Sequence, residues 1–163
     1  MGRFVKYALA ACCAVLLGAQ APDQVPAVYT QSSDLQRIVV VRLKYGTDML
    51  DGLEQAVARE KIKNAVVLSG FGSVTAYHVH VVGNTTFPPK DIFTKAGGPY
   101  DLLTVSGLIM GGRVHAHITL ATPQRVIGGH LEAGTSVFTF TNISLAVVSD
   151  SVDLSRNDDW KWH

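Results

Sequence analysis

Apolar and polar positions along the chain fall into short, distinct patterns. Arg37-Ile38-Val39-Val40-Val41-Arg42-Leu43 is β-branched and apolar and predicts a first strand. Gly46 turns the chain, Thr47 has the side chain of an N-cap, and Asp48 and Asp51 suit the positive end of a helix. Met49, Leu50, Leu53, Ala56 and Val57 then recur at helical spacing, so 48–61 is predicted as one amphipathic helix whose stripe packs on a sheet. Everything after it is β in pattern. Ala65 to Leu68 predicts a buried strand, Gly70-Phe71-Gly72-Ser73 interrupts it, and Val74 to Val82 continues extended. The Gly and Pro residues of 83–99 predict a long surface loop. Tyr100 to Met110 and Val114 to Leu120 flank Gly111-Gly112, a two-residue hairpin signal. Val126 to Leu131 and Thr135 to Val148 complete a meander, and 150–163 read as a polar tail carrying Trp160 and Trp162.

The N-terminus departs from this pattern. Arg3 and Lys6 precede an apolar run from Tyr7 to Leu17, and Ala19-Gln20-Ala21 follows as an A-x-A-like cleavage site. These are the parts of a secretory signal, and the run is shorter than the ~20 apolar residues of a membrane span. Residues 1–21 are therefore expected to be a signal peptide, 22–36 a linker, 37–149 one domain and 150–163 a tail. The competing export reading is a lipoprotein box at Leu9-Ala10-Ala11-Cys12, with Cys12 acylated. Either way the expected location is periplasmic or secreted, with no membrane span in the mature chain.

Export changes the charge and the cysteine chemistry. Loss of 1–21 takes Arg3, Lys6, Cys12 and Cys13, leaving 12 basic against 13 acidic residues and no disulfide. A near-neutral chain lacks the electrostatic footprint of a nucleic-acid binder, so no nucleic-acid partner is expected. The Gly70–Gly72 turn is no phosphate loop, because no Gly-Lys-Ser/Thr follows. Ser69, Ser73 and Ser106 lack a G-x-S-x-G elbow, which removes the serine-hydrolase reading.

Five segments, taken in order, resemble the plants-and-prokaryotes conserved (PPC) domain. They are Arg42-Leu43 with Gly46-Thr47-Asp48-Met49-Leu50; Val66 to Val74, with its Phe71-Gly72-Ser73-Val74 turn; Gly98 to Gly107; His115-Ala116-His117-Ile118-Thr119-Leu120; and Val126-Ile127-Gly128-Gly129-His130-Leu131. The resemblance implies an α/β (α+β) fold, a compact and mainly antiparallel sheet flanked by one main helix, assembled as a homotrimer. In plants the domain accompanies AT-hooks in nuclear proteins, but no Arg-Gly-Arg-Pro hook is present here. Tyr77-His78-Val79-His80 departs from the family pattern.

The histidines also obey a register argument that owes nothing to the family. The Gly111-Gly112 turn pairs Met110 with Arg113, Leu108 with His115 and Ser106 with His117. Val114, Ala116, Ile118 and Leu120 then form the core face. Keeping Ile127 and Leu131 in that core pairs Leu120 with Ile127 and Ala116 with Leu131. This register sets His117 opposite His130, and His115 opposite Glu132. Directly opposed Cβ atoms lie ~4.5–5.5 Å apart, so three imidazoles and a carboxylate share one patch.

Neutral imidazole is a ligand for zinc, copper, nickel or iron. The candidate metal set is His115, His117 and His130, with Glu132 as a fourth group and zinc as the expected ion. The bland alternative is a polar sheet face or a hydrogen-bonded trimer contact. His78 and His80 share a face of their own strand and have a weaker claim. Two functions follow, beside a third implied by the resemblance, the DNA-binding module of plant relatives, which charge and compartment disfavour. One is an exported, trimeric PPC-like module binding a small molecule or protein, with a divalent metal site. The other is a metal-dependent enzyme, cupin-like in chemistry, using His115, His117 and His130 with Glu132 as ligand or general base. Cupins place a Glu three or four residues after H-x-H, where this chain has Leu120 and Ala121.

Overall fold

The structure is a computed structural model and describes residues 27–159. The signal-peptide segment, Cys12, Trp160 and Trp162 lie outside the described residues. Six strands and one α-helix follow one another as β1 (Leu35–Lys44), α1 (Met49–Arg59), β2 (Ala65–Val82), β3 (Asp91–Met110), β4 (Arg113–Ala121), β5 (Val126–Leu131) and β6 (Ser136–Val148). A 3-10 turn, Leu154–Asp158, follows. All the strand ladders are antiparallel, in the order β1-β6-β2-β3-β4-β5, and β5 returns to pair with β2 as well. The mainly antiparallel sheet with one helix matches the expected fold class.

The helix is set by local chemistry. Asp48, not Thr47, is the cap: its extended backbone lets the carboxylate accept from the Leu50 and Asp51 amides at 3.1 and 3.2 Å. The helix ends at Arg59, two residues before the predicted end, because Lys61 takes a positive φ of 53°. Met49, Leu53, Ala56 and Val57 are buried against Ile143, Leu145 and Val147 of β6, Val41 and Leu43 of β1 and their neighbours in one core.

Three strand expectations are corrected. Ala65 to Leu68 is only half buried: Ala65 and Val67 point inward while Val66 and Leu68 are exposed. The expected interruption at Gly70–Ser73 is absorbed by bulges, so 65–82 is one long strand. The predicted loop over 83–99 shrinks to 83–90, and β3 begins at Asp91. Ile92-Phe93-Thr94 pair with Val81, His80 and Val79, and those ladder bonds outweigh the turn-forming glycines further on.

The bulge beside Thr75 decides which way two histidines face. Before it the even position Val74 is buried; after it the odd positions Tyr77 and Val79 are. The parity switch turns His78 and His80 outward. At the far end, Gly111 and Gly112 have φ of 60° and 82°, as a two-residue I′ hairpin turn requires, and β4 follows the expected register, Ser106 opposite His117 and Leu108 opposite His115.

Closure depends on Gly129. A Cβ there would meet the His80 carbonyl oxygen at 2.6 Å and Val79 Cβ at 3.1 Å, so only glycine lets β5 lie against β2. Gly129→Ala is expected to destabilise the chain by about 1–3 kcal/mol. In a urea unfolding series this should appear as a lower midpoint with little change in slope; an unchanged midpoint would show that the contact is slack.

Candidate metal centre

β4, β5 and the outer half of β2 present their outward side chains to one patch. His117 stands opposite His130 in the β4–β5 ladder, and His80 stands opposite His130 in the β2–β5 ladder. His130 is therefore flanked on both sides by an imidazole. Its ring stacks on His80 with centroids 4.5 Å apart, and meets His115 and His117 edge-on at 4.8 and 5.3 Å.

Glu132 does not take the place the sequence register gave it. The β4–β5 ladder stops at His117–His130, and the Glu132 amide donates to the His78 carbonyl at 3.0 Å. The chain has turned toward β2, so the carboxylate lies beside His80 rather than opposite His115. His80 Nδ1 donates to Glu132 Oε1 at 2.6 Å. His130 Nδ1 is 3.3 Å from the same oxygen, without hydrogen-bond geometry, and is buried with no partner among the described residues. His80, His130 and Glu132 each offer a ligand atom within 4.8 Å of the others, so this group can hold a metal ion.

His115 and His117 form a second, adjacent pair, with Nε2 atoms 3.3 Å apart. The other side of His115 faces the tail: Nδ1 lies 3.0 Å from Asp158 Oδ1, while Arg113 donates to Asp158 Oδ2 at 3.0 Å. Asp158 is thus tied to β4, in the segment that the sequence predicted as a polar tail. His78 is withdrawn from the patch, donating from Nδ1 to the Ala133 carbonyl at 2.7 Å, while the buried Thr135 hydroxyl takes up its backbone amide and carbonyl.

The electrostatics favour neutral imidazoles. Burial lowers the pKa of His117, and neighbouring His115 and His80 lower it further. Burial also leads for His130, followed by His115 and His80, with Glu132 pulling the other way. A depressed pKa keeps the His117 and His130 rings neutral near neutral pH, with one nitrogen free of a proton, the form in which imidazole binds a metal.

The sequence brought out His115, His117, His130 and Glu132 but not the company they keep. His80 was visible only as one of a pair sharing a face of their strand, because its approach to His130 depends on the β2 bulge and on the pairing of β5 with β2. Asp91, whose Oδ1 is 3.8 Å from His80 Nε2, was hidden in the supposed loop. Asp158 was hidden in the tail.

Comparison with known proteins follows this geometry closely in fold. The chain is similar to a metal-containing protein from Archaeoglobus fulgidus, at 20% identity and a TM-score of 0.65 over 75% of this chain and 86% of that one. It is similar to a plant- and prokaryote-conserved protein of Pyrococcus horikoshii, at 22% identity and 0.63 over 76% and 87%. A suggested DNA-binding protein of Bacteroides thetaiotaomicron aligns at 16% identity and 0.59 over 75% and 85%. Among curated proteins, the bifunctional protein GlmU of Synechococcus sp. (strain JA-3-3Ab) is 29% identical over 126 residues; the match takes 76% of this chain and 19% of that much longer relative. The model of the Plants and Prokaryotes Conserved (PCC) domain matches residues 30–149, and the chain belongs to that family.

Proposed function

We propose that this protein is an exported, trimeric PCC-domain module that binds a divalent ion, zinc foremost, on its histidine patch, and through it a small molecule or a protein segment. The observation that carries the metal is His130: a buried ring nitrogen without a hydrogen-bond partner, surrounded by three imidazoles and a carboxylate. An unpaired buried polar atom costs about 1–3 kcal/mol, and coordination would offset it. The name of the Archaeoglobus neighbour agrees with this reading. His115 and His117 extend the donor set, as the H-x-H pattern suggested. An ion with three protein ligands keeps a position for water or a ligand atom, which also leaves room for the metal-enzyme alternative. The names of some structural neighbours favour DNA binding. The full chain's net charge of +1 argues against it, because phosphate contacts dominate nucleic-acid affinity.

A second observation favours assembly. On the outer face of the sheet the ladders align Ile38, Ala146, Val66 and Leu108 in one apolar row across β1, β6, β2 and β3, with exposed Val40 and Leu68 beside it. Ile38 and Val66 are exposed and Leu108 half-buried around the buried Ala146, and an apolar face of this kind marks an interaction site that copies of the same domain would cover. Among the described residues no helix is long and apolar enough to cross a membrane.

Calorimetric titration of the chelator-treated protein with zinc tests the metal. His130→Ala is expected to weaken binding about 100-fold, or ~2.8 kcal/mol, without unfolding the domain. Equal binding by wild type and variant would reject the site. Affinity should fall as pH drops below the ordinary imidazole value of about 6.5, since protons compete for the ring nitrogens. The lowered pKa of His117 and His130 moves their part of that loss to lower pH than free imidazole would show. A titration at stepped pH reads this directly, and a pH-independent affinity would contradict imidazole ligation. For assembly and export, the chain recovered from the exported fraction should begin at Pro22 by mass spectrometry and scatter light as three copies. A full-length cytosolic chain or a monomer at micromolar concentration would overturn the corresponding part.

A further inference from the structure

Resting on the divalent-ion reading, we propose that the patch holds two ions rather than one: a first on His80, His130 and Glu132, and a second on His115 and His117. A tetrahedral centre takes four ligands, and an open one takes three from the protein. Five donor side chains converge here, and the geometry divides them. His80, His130 and Glu132 lie within 4.8 Å of one another. The Nε2 atoms of His115 and His117 are 3.3 Å apart. With Zn–N bonds of 2.0–2.1 Å, two ligands on one tetrahedral ion stand about 3.3 Å apart, so this pair already has the spacing of a ligand edge.

The second pair is also held as ligands are held. A coordinating histidine turns its other ring nitrogen to a carboxylate or carbonyl, which fixes ring and tautomer. His115 Nδ1 faces Asp158 at 3.0 Å, and Asp158 is itself fixed by Arg113. With Nδ1 turned to Asp158, Nε2 is the His115 nitrogen that faces His117. On the first set, Asp91 Oδ1 lies 3.8 Å from His80 Nε2, while His80 Nδ1 is the nitrogen engaged by Glu132. Two imidazoles with water completing the shell make the second position the weaker and the more open to an incoming ligand atom. The competing account is a plain hydrogen bond between His115 and His117.

Equilibrium dialysis of the full, untagged chain against zinc, with metal counted per chain by elemental analysis, separates the accounts. Two ions per chain are expected at saturation, filling at different zinc concentrations. His117→Ala should lose the weaker ion and keep the tighter one. His80→Ala should lose the tighter and keep the weaker, with Glu132→Gln as the second variant should His80→Ala fold poorly. Saturation at one ion per chain, with both substitutions weakening that same ion, overturns the two-ion proposal and leaves the single-ion reading standing. No uptake by the wild type overturns both.

Discussion

The return of β5 onto β2 is the contact on which the rest of this molecule depends. Two ladder pairs, Val79 with Leu131 and His80 with His130, close the curled sheet. Leu131 goes wholly into the core as they form, and Gly129 lets the two backbones approach. Without that closure β4 and β5 would still bring His117 to His130, but the patch would lack His80, and Glu132 would have no reason to turn toward β2. One backbone approach therefore sets both the inner packing and the outer chemistry.

Closure alone would not aim the side chains. β2 is long enough to pair with β6 in its first half and with β5 in its second. A strand with unbroken alternation would carry Val74 and His80 on the same face, burying the imidazole. The extra residue near Thr75 restores Tyr77 and Val79 to the core and delivers His78 and His80 to the outside. Of these two, Thr135 and the Ala133 carbonyl engage His78, which leaves His80 for the patch. The segment between β5 and β6 thus sorts a pair that the sequence presents as equivalent.

What was legible in the sequence follows from the range of the forces involved. The hairpin at Gly111-Gly112 is local, its turn type follows from two glycines, and alternation in β4 is unambiguous, so the His117–His130 register could be read from residues alone. Helix α1 was legible for the same reason, to within one residue at its cap and two at its end. The approach of β2 to β5 joins residues about fifty positions apart through a bulge that no local pattern announces. Asp91 was masked by the Gly and Pro content of 83–99, although Ile92-Phe93-Thr94 carried a strand signal that the composition of the segment overrode. Asp158 was masked because a polar tail gives no periodicity, and its docking rests on polar contacts with Arg113 and His115 rather than on a buried apolar stripe.

The histidine cluster opposes the fold that presents it. Burial lowers the affinity of His117 and His130 for protons, and the imidazoles crowded beside them lower it further. A polar face with only a structural duty would be cheaper to build from Ser and Thr, which bring no mutual repulsion and leave no ring nitrogen stranded. Yet the chain invests a strand bulge, a glycine with no room for a Cβ and a docked Asp158 carboxylate in placing these rings. Hydrogen bonding inside the cluster satisfies His80 and His115 but leaves His130 Nδ1 without a partner. Neutral imidazoles beside carboxylates, with one nitrogen buried and unpaired, are the condition in which a divalent cation relieves both the crowding of dipoles and the orphaned atom at once. That is why the metal reading, rather than a merely polar sheet face, accounts for the energy stored there.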